Sequence, residues 1–108
     1  MKKYLIKASY NAGGVKGLIE DGGSKRKSEV QKMISTLGGK LESFYYAFGE
    51  TDAYITLDLP DDVSVLAVGL RVNATGLVST STTVLISPED IDAASKISVS
   101  YRAPGQKS

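Results

Sequence analysis

The chain opens on regular alternation. Across residues 3–10, Tyr4, Ile6, Ala8 and Tyr10 fall on one side and Leu5, Lys7 and Ser9 on the other. Successive side chains of extended backbone point to opposite faces, so this predicts a strand with one drier face. Asn11 to Gly14 reads as a turn, Val15 to Glu20 as a helical turn, and Gly22-Gly23 as a break. Ser24 is the expected N-cap of a helix running to about Leu37, with Val30, Met33, Ile34 and Leu37 on one stripe. Gly38-Gly39 ends it. Lys40 to Phe48 is aromatic and reads as a second strand; Gly49 to Asp52 is a tight connection. Ala53 to Leu59 alternates again, Ala53, Ile55, Leu57 and Leu59 opposite Tyr54, Thr56 and Asp58, which predicts a hairpin. Pro60-Asp61 opens a helix from about Asp62 to Ala74 or Thr75, and Leu77 to Ile86, rich in Val and Thr, is a fourth strand. Ser87-Pro88-Glu89-Asp90 starts a short helix to about Lys96. Ser98 to Ser108 is polar and reads as an extended tail.

Two βαβ halves in succession define the α+β class. The order implies a ferredoxin-like βαββαβ domain over residues 1–108, with its helices on one face of an antiparallel sheet. The other face is left open, carrying Leu5, Lys7, Ser9, Tyr54, Thr56 and Asp58. Such a mixed surface is expected to meet a second copy in a symmetric dimer, with Lys7 and Asp58 as a candidate pair. The second long helix has two apolar stripes, Val63, Leu66, Ala67 and Leu70 on one and Val65, Val68 and Val72 on another. A helix apolar on most sides is covered on most sides, either by the chain's own C-terminal segment or by another subunit.

Composition narrows the chemistry. With 108 residues there is room for one hydrophobic core. A net charge of +1, from 13 basic and 12 acidic residues, gives no electrostatic reason to expect nucleic acid or a membrane surface as a partner. Cysteine and histidine are both absent, which removes thiolate chemistry, histidine triads and the commonest metal ligands. No metal and no cofactor is expected. No apolar run is long enough to span a bilayer, and the expectation is a soluble, cytoplasmic protein.

Four groups of residues could carry function. Gly22 to Lys27, with Arg26 among its cations, precedes a helix and suits an anion, or is simply a solvated basic turn. Tyr10 with Asn11, Tyr45 with Tyr46, and Tyr54 put phenols on neighbouring strands, where they could orient a small ligand or pack body-inward with the hydroxyl at the rim. Asp52 and Asp58 are strand-borne carboxylates, candidates for a general base or for a turn cap and a salt bridge. Arg71 and Asn73 interrupt the apolar helix: Arg71 is placed to snorkel or to bind an interface carboxylate, and Asn73 is either a ligand contact or the end of that helix. Tyr101 and Arg102 stand out in the tail, placed to clasp a neighbour or close a pocket, or simply part of a frayed terminus.

Several segments in one order resemble a known family. Lys3 to Tyr10, Gly22-Gly23-Ser24-Lys25-Arg26, Phe44-Tyr45-Tyr46-Ala47-Phe48-Gly49 and Ser98 to Gly105 are similar to the corresponding parts of the GYD-domain proteins, small bacterial proteins of unsettled function. The resemblance implies a ferredoxin-like fold associating sheet to sheet, as in dimeric α/β-barrel proteins. Thr51 sits between Gly49 and Asp52 where the family signature has its tyrosine. The expectation is an oligomeric, small-molecule-binding protein. One alternative is a cofactor-free oxygenase or cyclase using Tyr10 and Asp52 on a small aromatic or polyketide-like compound. Another is a structural or partner-binding oligomer.

Overall fold

The computed structural model describes residues 1–47 and 49–107. Phe48, expected at the end of the second strand, lies outside them. The elements are β1 (Lys2–Tyr10), α1 (Ala12–Asp21), α2 (Gly23–Thr36), β2 (Lys40–Tyr46), β3 (Ala53–Leu59), α3 (Asp62–Ala74), β4 (Val78–Leu85) and α4 (Pro88–Ser95). The strands form one sheet in the order β2-β3-β1-β4, and every pairing is antiparallel. This is the expected α+β, ferredoxin-like arrangement.

The alternation decides which side of the sheet is dry. Tyr4, Ile6 and Ala8 of β1 and Ala53, Ile55, Leu57 and Leu59 of β3 are buried on the helix side. Ile34 of α2, Phe44 of β2 and Val65 and Val68 of α3 complete the core. Register then sorts the aromatics. Phe44 pairs with Ile55 and Tyr46 with Ala53, on the helix side, whereas Tyr45 pairs with Tyr54 on the open side.

Helix ends follow backbone demands that the side-chain pattern shows incompletely. α1 begins at Ala12, three residues before the expected turn of helix, despite two glycines in its first turn. Asn11 explains this: its side chain accepts the N–H of Gly14 at 3.0 Å, and its own N–H donates to the Leu77 carbonyl at 3.0 Å. Gly14 is required where the helix meets β4, because a Cβ there would lie 2.3 Å from the Leu77 carbonyl oxygen. Ser24 is not the cap of α2. Gly22 caps it with φ 86°, a left-handed conformation that closes α1 and opens α2 at one residue. The other end of α2 is as expected: Gly38 at φ 76° donates to Ser35 and Gly39 to Ile34, both at 3.0 Å, closing a Schellman motif.

Two further placements bear on the site. Within the chain Asp58 forms a salt bridge with Lys3 at 3.1 Å, as the salt-bridge reading of that carboxylate expects, and Lys3 also reaches Glu42 beside an irregularity in the β2–β3 pairing. The geometry is direct, since Lys3 stands opposite Asp58 in the β1–β3 register and Lys7 opposite Tyr54. On α3, only the Val65/Val68 stripe is buried; Val63, Leu66 and Leu70 are exposed, and no residue of α4 is buried. The chain's own C-terminal helix therefore does not cover α3.

Candidate functional site

The helix layer leaves a cavity of about 320 Å³ above the sheet. Ile6, Ala8 and Ile55 of the sheet and Phe44 of β2 form its floor; Val30 and Met33 of α2 and Val68 and Val72 of α3 form its walls. One end is polar, with Tyr10, Arg26 and Glu29. Tyr10 and Arg26 also line an adjoining hollow of about 300 Å³ under α1, beside Gly14 and Gly17. They stand where the two spaces meet.

Each of these polar groups is placed by its element. Tyr10 is the last residue of β1 and follows the parity of Tyr4, Ile6 and Ala8, which aims it at the helix side. Arg26 lies in the first turn of α2 and is half-buried, whereas its neighbours Lys25 and Lys27 are exposed. Its ion pair with Asp21 is loose, at 3.7 Å. Tyr46 ends β2; its hydroxyl donates to the Gly23 carbonyl at 3.1 Å, and its ring tilts against Phe44 with centroids 5.0 Å apart. Burial raises the Tyr10 phenol above its ordinary range; the Arg26 charge opposes this and Asp52 adds to it. Burial raises Tyr46 as well, helped by Tyr10 and opposed by Arg26. Both phenols are therefore neutral at physiological pH and act as hydrogen-bond donors rather than as bases.

The other expected residues go elsewhere. Asp52 accepts the backbone N–H of Tyr10 at 2.8 Å while its own N–H donates to Ala8 at 2.9 Å, so it clamps the β2–β3 connection onto β1. Asn11 caps α1, as above. Asn73 ties α3 to β4: it accepts the N–H of Thr80 at 3.0 Å and donates to the Gly69 carbonyl at 2.6 Å. Tyr45 and Tyr54 are on the open face. There Tyr54 lines a separate polar cup of about 450 Å³ with Lys7, Ser9, Thr51, Ser79 and Ser81. So Tyr10, Arg26 and Tyr46 come together, Tyr45 and Tyr54 form a second group on the opposite face, and Asp52, Asn11 and Asn73 are occupied by backbone.

The cavity walls were not singled out from sequence. Val30, Met33, Val68 and Val72 read as ordinary core stripes, and a stripe lining a void has the same spacing as one filling it. Among the described residues no group of three acidic side chains is arranged to hold a metal ion, and no helix is long and apolar enough to cross a membrane.

A four-stranded antiparallel sheet with a helix layer on one face, enclosing an apolar cavity with a polar end, defines an α+β protein of ferredoxin-like topology. The GYD-domain family model matches residues 4–95, most of the chain, and the protein belongs to that family. No curated protein and no solved structure shows a significant match to it.

Proposed function

We propose that this GYD-domain protein binds a small organic acid with an apolar body in the cavity between sheet and helices. The observation that carries the reading is the composition of that cavity. Its walls are largely aliphatic and aromatic, and its polar lining is Thr80 together with Tyr10, the half-buried Arg26 and the solvent-exposed Glu29, so that Arg26 is the cation turned to the cavity. An apolar ligand body gains by leaving water for such walls, at about 25 cal/mol per Å² buried. A carboxylate at the polar end receives charge-assisted hydrogen bonds from Arg26 and a neutral hydrogen bond from Tyr10. A volume of about 320 Å³ suits a one- or two-ring aromatic acid or a short aliphatic one.

Binding is favoured over the catalytic alternative by the placement of the proposed base. Asp52 does not line the cavity, and its carboxylate accepts the Tyr10 backbone N–H. The open sheet face, with Leu5, Lys7, Tyr45 and Tyr54, is the proposed contact between copies. Its mixed, partly aromatic character supports that reading.

The test is ligand-observed NMR with a panel of aromatic and aliphatic carboxylic acids and their uncharged amides. Saturable binding of acids in preference to amides is expected. It should be reduced in Arg26→Gln and abolished in Val68→Phe, which fills the cavity. No saturable binding across the panel, or equal binding by the filled variant, overturns the proposal.

A further inference from the structure

Among the described residues, two apolar surfaces lack partners. The first is the outer side of α3, where Val63, Leu66 and Leu70 are 74, 63 and 73 % exposed. Alongside it a groove of about 920 Å³ runs between α3 and β4, lined by Leu66, Leu70, Thr82 and Val84. The second is the C-terminal arm, where Ile91 and Ile97 are 58 and 67 % exposed. Contiguous apolar surface of this kind marks a contact.

The arm is helical without visible support. Ser87 caps α4 by accepting the N–H of Asp90 at 3.1 Å, and Pro88 begins its first turn. An isolated helix of eight residues is nevertheless unstable in water, because nucleation is costly and most helical stability comes from packing. The arm also leaves its own body. The chain measures 61 Å along its longest axis against 31 and 22 Å along the others. Its radius of gyration is 17.9 Å, against about 13 Å for a compact domain of this length.

Charge on the two surfaces is partly complementary. Glu89, Asp90 and Asp92 flank Ile91 on α4, while Arg71 follows Leu70 on α3, beside the groove; the groove itself carries Asp62, already paired with Lys2, and the arm carries Lys96. Among the described residues none of Glu89, Asp90, Asp92 and Arg71 makes an ion pair. We propose that the α4 arm of one copy lies in the α3–β4 groove of a second copy, with Ile91 and Ile97 against Leu66 and Leu70 and Arg71 facing the α4 carboxylates. The occupant is a second copy because each chain carries both halves of the contact and extends one half away from the other. Reciprocal exchange closes the pair about a two-fold axis. This contact lies away from the open sheet face and meets the cavity only at Gly69 and Thr80, which it does not use, so it does not rest on either reading above.

Amide hydrogen exchange of the full chain, read at the α4 residues, tests it. The α4 amides are expected to be protected when the chain is concentrated. They should lose that protection on dilution to single chains, and in Leu70→Asp and Arg71→Glu at high concentration. Both substitutions are at exposed positions, and an unchanged far-ultraviolet circular dichroism spectrum confirms folding. The chain has no native cysteine, so Leu70→Cys copies mixed with Ile91→Cys copies should be joined to each other by a flexible bis-maleimide. Exchange at the free-peptide rate at every concentration overturns the proposal. So does protection that survives dilution, which places the arm on its own groove, or protection that survives Leu70→Asp, which places it elsewhere. Failure of unlike chains to join overturns it too.

Discussion

The carboxylate of Asp52 accepts the backbone N–H of Tyr10 at 2.8 Å, at the point where β1 passes the β2–β3 connection. This bond sets the end of β1 and hence the position of the Tyr10 ring at the mouth of the cavity. Asp52→Ala leaves the Tyr10 N–H without its acceptor, and a loss of about 1–3 kcal/mol is expected. Asp52→Asn keeps an acceptor oxygen and should lose less. Urea denaturation separates the two variants. Similar losses would show that the carboxylate charge, rather than the acceptor geometry, matters.

The glycines of α1 make opposite predictions. Gly14→Ala places a Cβ 2.3 Å from the Leu77 carbonyl oxygen, a backbone group with little freedom to move. A destabilisation of at least about 2 kcal/mol is expected. Gly17 has open space around its Cβ position. Gly17→Ala should stabilise by about 0.5–1 kcal/mol, since it removes unfolded-chain entropy inside a helix. Thermal melting of both variants checks the pair.

Tyr4 and Asp62 couple stability to pH at both extremes. The Tyr4 hydroxyl donates to Asp62 at 2.6 Å. Burial first, then this bond, pushes the phenol up to about 12. The folded chain holds that proton more tightly than the unfolded chain, so the contribution is complete below pH of about 10 and is lost as pH rises through about 12. Asp62 is held below the ordinary carboxylate range by the Tyr4 hydroxyl and then by Lys2. Its contribution is present at neutral pH and is lost as pH falls below the ordinary carboxylate range. Tyr4→Phe should therefore flatten both limbs of the stability–pH curve. Denaturant midpoints at about pH 3, 7 and 11 measure this, and an unchanged acid limb would mean that Lys2 alone holds Asp62.

Arg26 faces the polar end of the cavity with only a loose ion pair to Asp21. For an acid that binds the wild-type chain, Arg26→Gln is expected to weaken affinity about tenfold, close to 1.4 kcal/mol. The matching amide should lose little. Isothermal titration of both ligands gives the difference. Lys25→Gln, at an exposed neighbouring position, serves as the control.

Tyr45 and Tyr54 are cross-strand neighbours on the open face. If copies meet there, Tyr54→Glu places two desolvated charges near a symmetric contact, and native mass spectrometry should show a smaller assembly than the unmodified chain gives. An unchanged mass would remove the open face from the assembly.

Much of the architecture was legible because strand and helix periods report burial directly. The alternation in residues 3–10 and 53–59 marked the faces of β1 and β3, and Gly38-Gly39 marked the end of α2, since each is a local constraint. The cap of α2 was misplaced. Ser24 has the right side chain, but the left-handed backbone that joins α1 to α2 without a gap falls at Gly22, where the absence of a side chain permits it. The start of α1 was missed for the reverse reason: two glycines argue against a helix, and contact with Leu77 across the fold outweighs them.

For the site, sequence supplied Tyr10, Arg26 and Tyr46 as candidates but could not group them. Pairing register places Tyr46 with Tyr10 and turns Tyr45 and Tyr54 to the opposite face. Period and composition by themselves determined the α+β class, the drier sheet face and the absence of histidine and thiol chemistry. Only the tertiary structure decided that Asp52 and Asn73 serve the backbone, that the aliphatic stripes of α2 and α3 enclose a cavity, and that α4 stands clear of its own chain. Those outcomes depend on distances between residues far apart in sequence, which a local pattern does not encode.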